Sequence, residues 1–173
     1  MKNKVKLIVN PFIRIAGGQA LIWGFLGLIV STLLCWISGY HYHGLLHFGP
    51  APNPAWWCYL AEHLIVWLIP ALLFYLGGLF LSHSRIRVID VLGTVLFAQL
   101  PLLGMNLISL LPAMRMMSQM NMNMSPEEML AQPYFILAMI LTLLGLPFLI
   151  LTLIWMFNAL KAVSYTHLTL PTT

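Results

Sequence analysis

A chain of 173 residues in which 61% are apolar and only 7% are charged cannot cover itself for water, since a soluble domain carries about 25% charged residues. With a mean hydropathy of +0.91 and apolar runs longer than a soluble core helix needs, the pattern is that of an all-α integral membrane helical bundle. The net charge of +4 reports topology and calls for no nucleic acid. Seven of the eight basic residues, Lys2, Lys4, Lys6, Arg14, Arg85, Arg87 and Lys161, fall on one side of the runs, and Arg115 alone falls on the other. The crowded side is the expected cytoplasmic side, with the N-terminus in it.

The chain opens with MKNKVKLIVNPFIRIAGG. Its Lys and Arg residues suit anionic headgroups, while Ile8, Val9, Phe12 and Ile13 are placed to dip into the acyl boundary. The following run, residues 19–38, is too long for a signal-peptide core and lacks a small-x-small cleavage site, so it reads as an uncleaved first span over about 19–39. Within it Ala20 with Gly24, and Gly27 with Ser31, are small-xxx-small pairs that let a second helix approach closely. Residues 40–55, YHYHGLLHFGPAPNPA, read as an outer loop broken by Gly49, Pro50, Pro52 and Pro54. A second helix over 56–81 begins with Trp56, Trp57 and Tyr59, an aromatic anchor suited to the headgroup level. SHSRIR then makes a short turn into a third helix over 88–111. In the outer loop beyond it, Ser125, Pro126 and Glu128 form a capping-box pattern that predicts a short interfacial helix. The fourth span is expected over 133–157.

Pro70, Pro101 and Pro147 lie near the middle of three helices. Each removes a backbone donor and frees the carbonyl four residues earlier, at Val66, Phe97 and Leu143. In hydrocarbon those carbonyls need partners inside the bundle. The prolines read as fixed kinks, with hinges for alternating access as the other reading. Cys35 and Cys58 fall at different depths, which predicts free thiols that pack as small hydrophobes.

Four groups of residues bear on function. His41, His43 and His47, with Glu62 and His63 on the next helix, have spacing that zinc or copper can use. Met114, Met116, Met117, Met120, Met122 and Met124 lie on the same outer side, and thioethers suit Cu(I). Each set also has a plain reading: a polar, aromatic-rich loop for the histidines, and adaptable apolar filler for the methionines. Gln99 and Asn106 are seven residues apart on one face of the third helix, where they act either as interhelical glue or as the lining of a transport path. Asp90 suits the N-terminal dipole of that helix and can meet Arg85 or Arg87. The other acids are Glu62, Glu127 and Glu128, and no phosphate loop, metalloprotease motif, nucleophile elbow or intramembrane carboxylate pair is present. No catalytic, cofactor-binding or metal residue is assigned on this pattern, and the expected role is non-enzymatic, with no cofactor.

The stretch VWLIPALLFYLGGLFLSHSRIRVIDVLGTVLFAQLPLLGMNLISLLP resembles the centre of a Yip-family membrane protein. It has a helix ending in Gly77-Gly78, a short turn over 82–87, and Pro101 following Ala98 and Gln99. NPFIRI at 10–15 and FNALKAV at 157–163 resemble the family's pattern as well, so the similarity runs from about 9 to 163. It implies a single transmembrane domain over 1–163, five spanning helices and a cytoplasmic N-terminus, as in the short bacterial relatives. It brings no catalytic residues and no residue matching a GTPase contact. The partners it implies are the lipid bilayer and a membrane protein or a second copy of the chain. The departure from the family is the missing fifth helix. VSYTHLTLPTT resembles translated adapter sequence, so residues 164–173 are expected to be a non-native tail, the alternative being a short disordered terminus.

Overall fold

The computed structural model describes residues 2–50, 54–81, 86–120 and 124–165. Arg85, Met122 and the tail beyond Tyr165 therefore lie outside the described residues. The chain forms α1 (Lys2–Val9), a 3-10 turn (Pro11–Ile13), α2 (Gly17–Ser38), β1 (Tyr40–Gly44), β2 (His47–Pro50), α3 (Trp56–Leu81), α4 (Val88–Phe97), α5 (Leu102–Ser109), α6 (Pro112–Ser118), α7 (Pro126–Leu130) and α8 (Phe135–Tyr165). Four helical stretches among the described residues are long and apolar enough to cross a bilayer: Gly17–Ser38, Trp56–Phe80, Val88–Ser109 and Phe135–Val163. The third of these is the joint span of α4 and α5. The protein is thus a membrane-embedded helical bundle with one small hairpin. Its two ends are here called the basic end, near Arg14 and Lys161, and the hairpin end.

The most extensive packing joins α2 to α4. Ala20, Gly24, Gly27 and Ser31 are all buried on α2, as small residues at a close helix crossing must be. A methyl group on Gly93 would come within 3.0 Å of the backbone at Gly17 and Leu21, and one on Gly24 within 3.0 Å of Leu96. Helix α2 stops at Gly39, whose φ of 73° is open to glycine and lets its N–H reach the Cys35 carbonyl at 2.9 Å. In the Gly77-Gly78 step only Gly78 is close to a neighbour, where a methyl would meet the end of the Ile86 side chain.

The structure corrects several expectations. Residues 40–50 are an antiparallel hairpin with a bulge between Tyr42 and Gly44, not a bare loop. Its Tyr-His-Tyr-His alternation has the period of a strand, and Tyr40 and Tyr42 both lie against Phe48. Phe12 does not face lipid. It is buried edge-on to Phe97 at 5.9 Å and Trp155 at 6.4 Å, and Phe97 and Trp155 stack at 5.5 Å. The N-terminal segment is tied to α8 through Trp155 Nε1–H to the Ile8 carbonyl and Asn158 Nδ2–H to the Val9 carbonyl. Residues 112–118, expected as loop, form α6, with Pro112 in the first turn where its missing N–H costs nothing. Helix α8 runs past 157 because Ala159 and Val163 still pack into the core, and Ser164 and Tyr165 continue it. The expected capping box is present in α7, with Ser125 and Glu128 bonded reciprocally.

Of the three prolines, Pro70 and Pro147 sit inside continuous helices, whereas Pro101 divides the third span. There the chain tightens into i→i+3 bonds, and Leu100 N–H meets the Phe97 carbonyl at 3.1 Å. The carbonyl released by Pro101 is satisfied locally. The one released by Pro70 is satisfied across the bundle: Gln99 Nε2–H donates to the Val66 carbonyl at 3.0 Å.

Candidate functional site

The polar groups of the chain gather under the hairpin, where α2, α3 and α5 converge. Asn106 on α5 is fully buried. Its carbonyl oxygen accepts from the Tyr42 hydroxyl at 2.7 Å, and its amide donates to Ser31 Oγ at 2.5 Å. Ser31 Oγ lies 2.6 Å from His63 Nε2, and His63 Nδ1 lies 2.7 Å from the Tyr59 carbonyl. Because a carbonyl only accepts, the His63 proton belongs on Nδ1. Nε2 then accepts from Ser31, and every polar hydrogen in the row points the same way, from Tyr42 to the Tyr59 carbonyl. The sulfur of Cys35 adds a long contact to His63 Nε2 at 3.9 Å. Cys35 and Cys58 are both free thiols.

A second cluster fixes the hairpin from the side of α3. His41 stacks on Tyr59 with centroids 4.1 Å apart, and its Nδ1 lies 3.0 Å from both Glu62 oxygens. Glu62 also accepts from the Tyr42 backbone N–H at 3.3 Å. His41 Nε2 is buried without a hydrogen-bond partner. The tautomer with its proton on Nδ1 leaves only a lone pair there, which is the lesser cost. Tyr40 donates to the Met114 carbonyl at 3.1 Å. Burial pushes the Tyr40 phenol up to about 12 and raises that of Tyr42 as well, because a phenolate in an apolar enclosure loses its hydration.

Glu62 and His63, adjacent in sequence, serve different clusters. The rings of His43 and His47 lie tilted at 43° with centroids 4.9 Å apart, and His43 is 6.2 Å from the His41 ring. Among the described residues no group of three or more His, Cys, Asp or Glu side chains is arranged to hold a metal ion. The described methionines differ in their surroundings. Met114 is buried and sits 4.0 Å from the Thr142 hydroxyl, whereas Met116 is exposed. Asp90 does occupy the first turn of α4, but among the described residues it makes no ion pair with Arg87.

Gln99 and Asn106 both point into the bundle, and both are spent on internal bonds. The space left beside them is about 20 Å³, bordered by Ser31, Tyr42, His63 and Gln99, which is room for about one water molecule. Residue spacing missed Ser31 as a hydrogen-bonding centre, where it read only as a small residue. It also missed Tyr42, whose place in an alternating Tyr-His run was the available signal. No family model, curated protein or solved structure matches the chain.

Proposed function

We propose that this protein is a non-catalytic membrane bundle that acts through lateral association with a spanning helix of another protein or of a second copy. The observation that carries this reading is the contrast between the third and fourth spans. Half of the apolar window of Val88–Ser109 is buried inside the bundle, against 17% of that of Phe135–Val163. A helix so little enclosed offers a long face, including Leu137, Ile140, Leu144 and Phe157, to a neighbour in the bilayer. Inside the bundle the amides that could line a transport path instead hold helices together, and the cavity beside them is far smaller than a solute. The Yip-like sequence pattern, with its cytoplasmic basic end in a bacterial inner membrane, agrees with this role.

A photo-reactive residue placed at Leu144 in native membranes, with one at Val95 as a buried control, tests the reading. The expected result is one discrete protein adduct from position 144 and none from 95. Adducts to lipid alone, together with solute flux in proteoliposomes that Gln99→Leu abolishes, would replace it with a transporter.

A further inference from the structure

Two cavities at the hairpin end share a wall, and together they have the shape of an amphiphile. The first is an apolar groove of about 280 Å³ between α2 and α3, lined by Ile29, Thr32, Leu33, Trp36, Trp56 and Leu60. Ile29, Leu33 and Trp36 follow one another at helical spacing, so the groove runs about 10 Å along the membrane normal at 1.5 Å per residue. Thr32 does not interrupt its apolar character, because its hydroxyl donates to the Leu28 carbonyl at 2.8 Å. The second is a polar pocket of about 270 Å³ that meets the first at Trp36 and is bordered also by Ser38, Tyr59, Arg115, Ser118 and Gln119. Trp36 belongs to both, its indole marking the boundary between hydrocarbon and headgroup depth.

Arg115 gives the pocket its sign. It is the one basic residue in the outer stretches of the chain, and among the described residues it has no ion-pair partner. The carboxylate of Glu62 is engaged with His41 and the Tyr42 N–H, and that of Glu128 caps α7. An exposed guanidinium with no ion pair of its own, in a polar pocket that shares Trp36 with an apolar groove, complements an anionic oxygen carried on an acyl chain.

We infer that this composite cavity binds an anionic phospholipid of the hairpin-side leaflet, its phosphate on Arg115 and one acyl chain between Trp36 and Trp56. The site is independent of the association proposed for α8. It is tested on the full chain in bilayers with a phosphatidylglycerol probe carrying a photo-reactive group in its acyl chain, against a phosphatidylcholine probe of the same chain. The adducts are mapped by peptide mass spectrometry, which separates this site from lipid held at the basic end. The expected result is labelling at residues 29–36 and 56–60 about fivefold stronger with the anionic probe. Arg115→Gln should reduce it to the phosphatidylcholine level, and Arg14→Gln should leave it unchanged. Trp36→Ala should weaken labelling by both probes. Equal labelling by the two headgroups, or an anionic preference that survives Arg115→Gln, overturns the inference. Erasure of the preference by inorganic phosphate would also overturn it, in favour of a free-anion pocket.

Discussion

Toward the basic end, α2 and α4 meet backbone to backbone at Gly17, Gly24 and Gly93, and aromatic rings of Phe12, Phe97 and Trp155 fill the space beside them. Toward the hairpin end the helices are joined by Ser31, His63, Asn106 and the phenol of Tyr42. Lipid tails are as apolar as leucine, so burying leucine gives little net drive for helices to associate in a bilayer. The two remaining sources of cohesion are close van der Waals contact, which needs small residues, and hydrogen bonds between groups that hydrocarbon cannot satisfy. In this bundle close contact joins α2 to α4 at the basic end, where Trp155 and Asn158 add bonds to the N-terminal segment, and side-chain hydrogen bonds form the seam at the hairpin end.

The largest effect is expected where the obstruction is backbone and cannot move aside. Gly93→Ala places a methyl against Gly17 and Leu21 and should destabilise by about 1–3 kcal/mol, toward the upper end of what overpacking costs. Gly77 has nothing within 4 Å of its added methyl, so Gly77→Ala should change stability by less than about 0.5 kcal/mol. Unfolding in a denaturing-detergent titration compares the two, and equal effects would mean that close packing does not hold the basic end together. At the other end Asn106→Leu strands the Tyr42 hydroxyl and removes the donor to Ser31 Oγ, which keeps its bond to His63, and should cost about 2 kcal/mol. Tyr42→Phe removes one donor, leaves Asn106 its bond to Ser31, and should cost about 1 kcal/mol. If Asn106→Leu matches Gly77→Ala instead, the polar seam contributes no cohesion and the contrast between the two ends fails.

The same contrast sets how much was legible in the sequence. Close packing was readable because it depends on residue size at helical spacing: Ala20, Gly24, Gly27 and Ser31 announce the buried face of α2 before any partner is known. The orphan carbonyl of Val66 was readable because proline chemistry is local, as was the inward face of Gln99 and Asn106. What spacing could not give was which donor meets which acceptor. Tyr42 reaches Asn106 across 64 positions and Asn106 reaches Ser31 across 75, and such pairs are set by tertiary packing alone. The hairpin was hidden by its prolines and glycines, which favour a loop reading and overrode the alternation in Tyr40 to His43. Phe12 was misplaced because an aromatic near basic residues suits an interface as well as it suits a core.

A sharper test of the hydrogen-bonded half uses the proline itself. Gln99→Leu leaves the Val66 carbonyl without its donor and should cost about 1 kcal/mol, in the range of interhelical hydrogen bonds in membranes. In a Pro70→Ala background the restored backbone N–H can serve that carbonyl, and the same substitution should then cost close to nothing. The double-mutant cycle isolates the coupling between positions 70 and 99. Additive effects would show that Gln99 is held there by packing rather than by the carbonyl that proline released.

The smallest effect concerns the tyrosines beneath the hairpin. Folding holds Tyr40 and Tyr42 as neutral phenols with values raised above the ordinary 10.0, to about 12 for Tyr40. The folded state therefore binds more protons than the unfolded state once pH passes the unfolded value, so stability is level below about pH 10 and falls above it. At pH 10 each phenol accounts for less than about 0.5 kcal/mol of that loss, and for Tyr40 the slope is steepest near about pH 11, midway between its unfolded and folded values. Thermal unfolding between pH 8 and about 11 should show this onset, and Tyr40→Phe should make it shallower while also removing the bond to the Met114 carbonyl. A stability that stays flat through pH 11 would mean that water reaches both phenols. The hairpin would then be a cover resting loosely on the bundle, and the seam from Tyr42 to His63 would lose its outermost link.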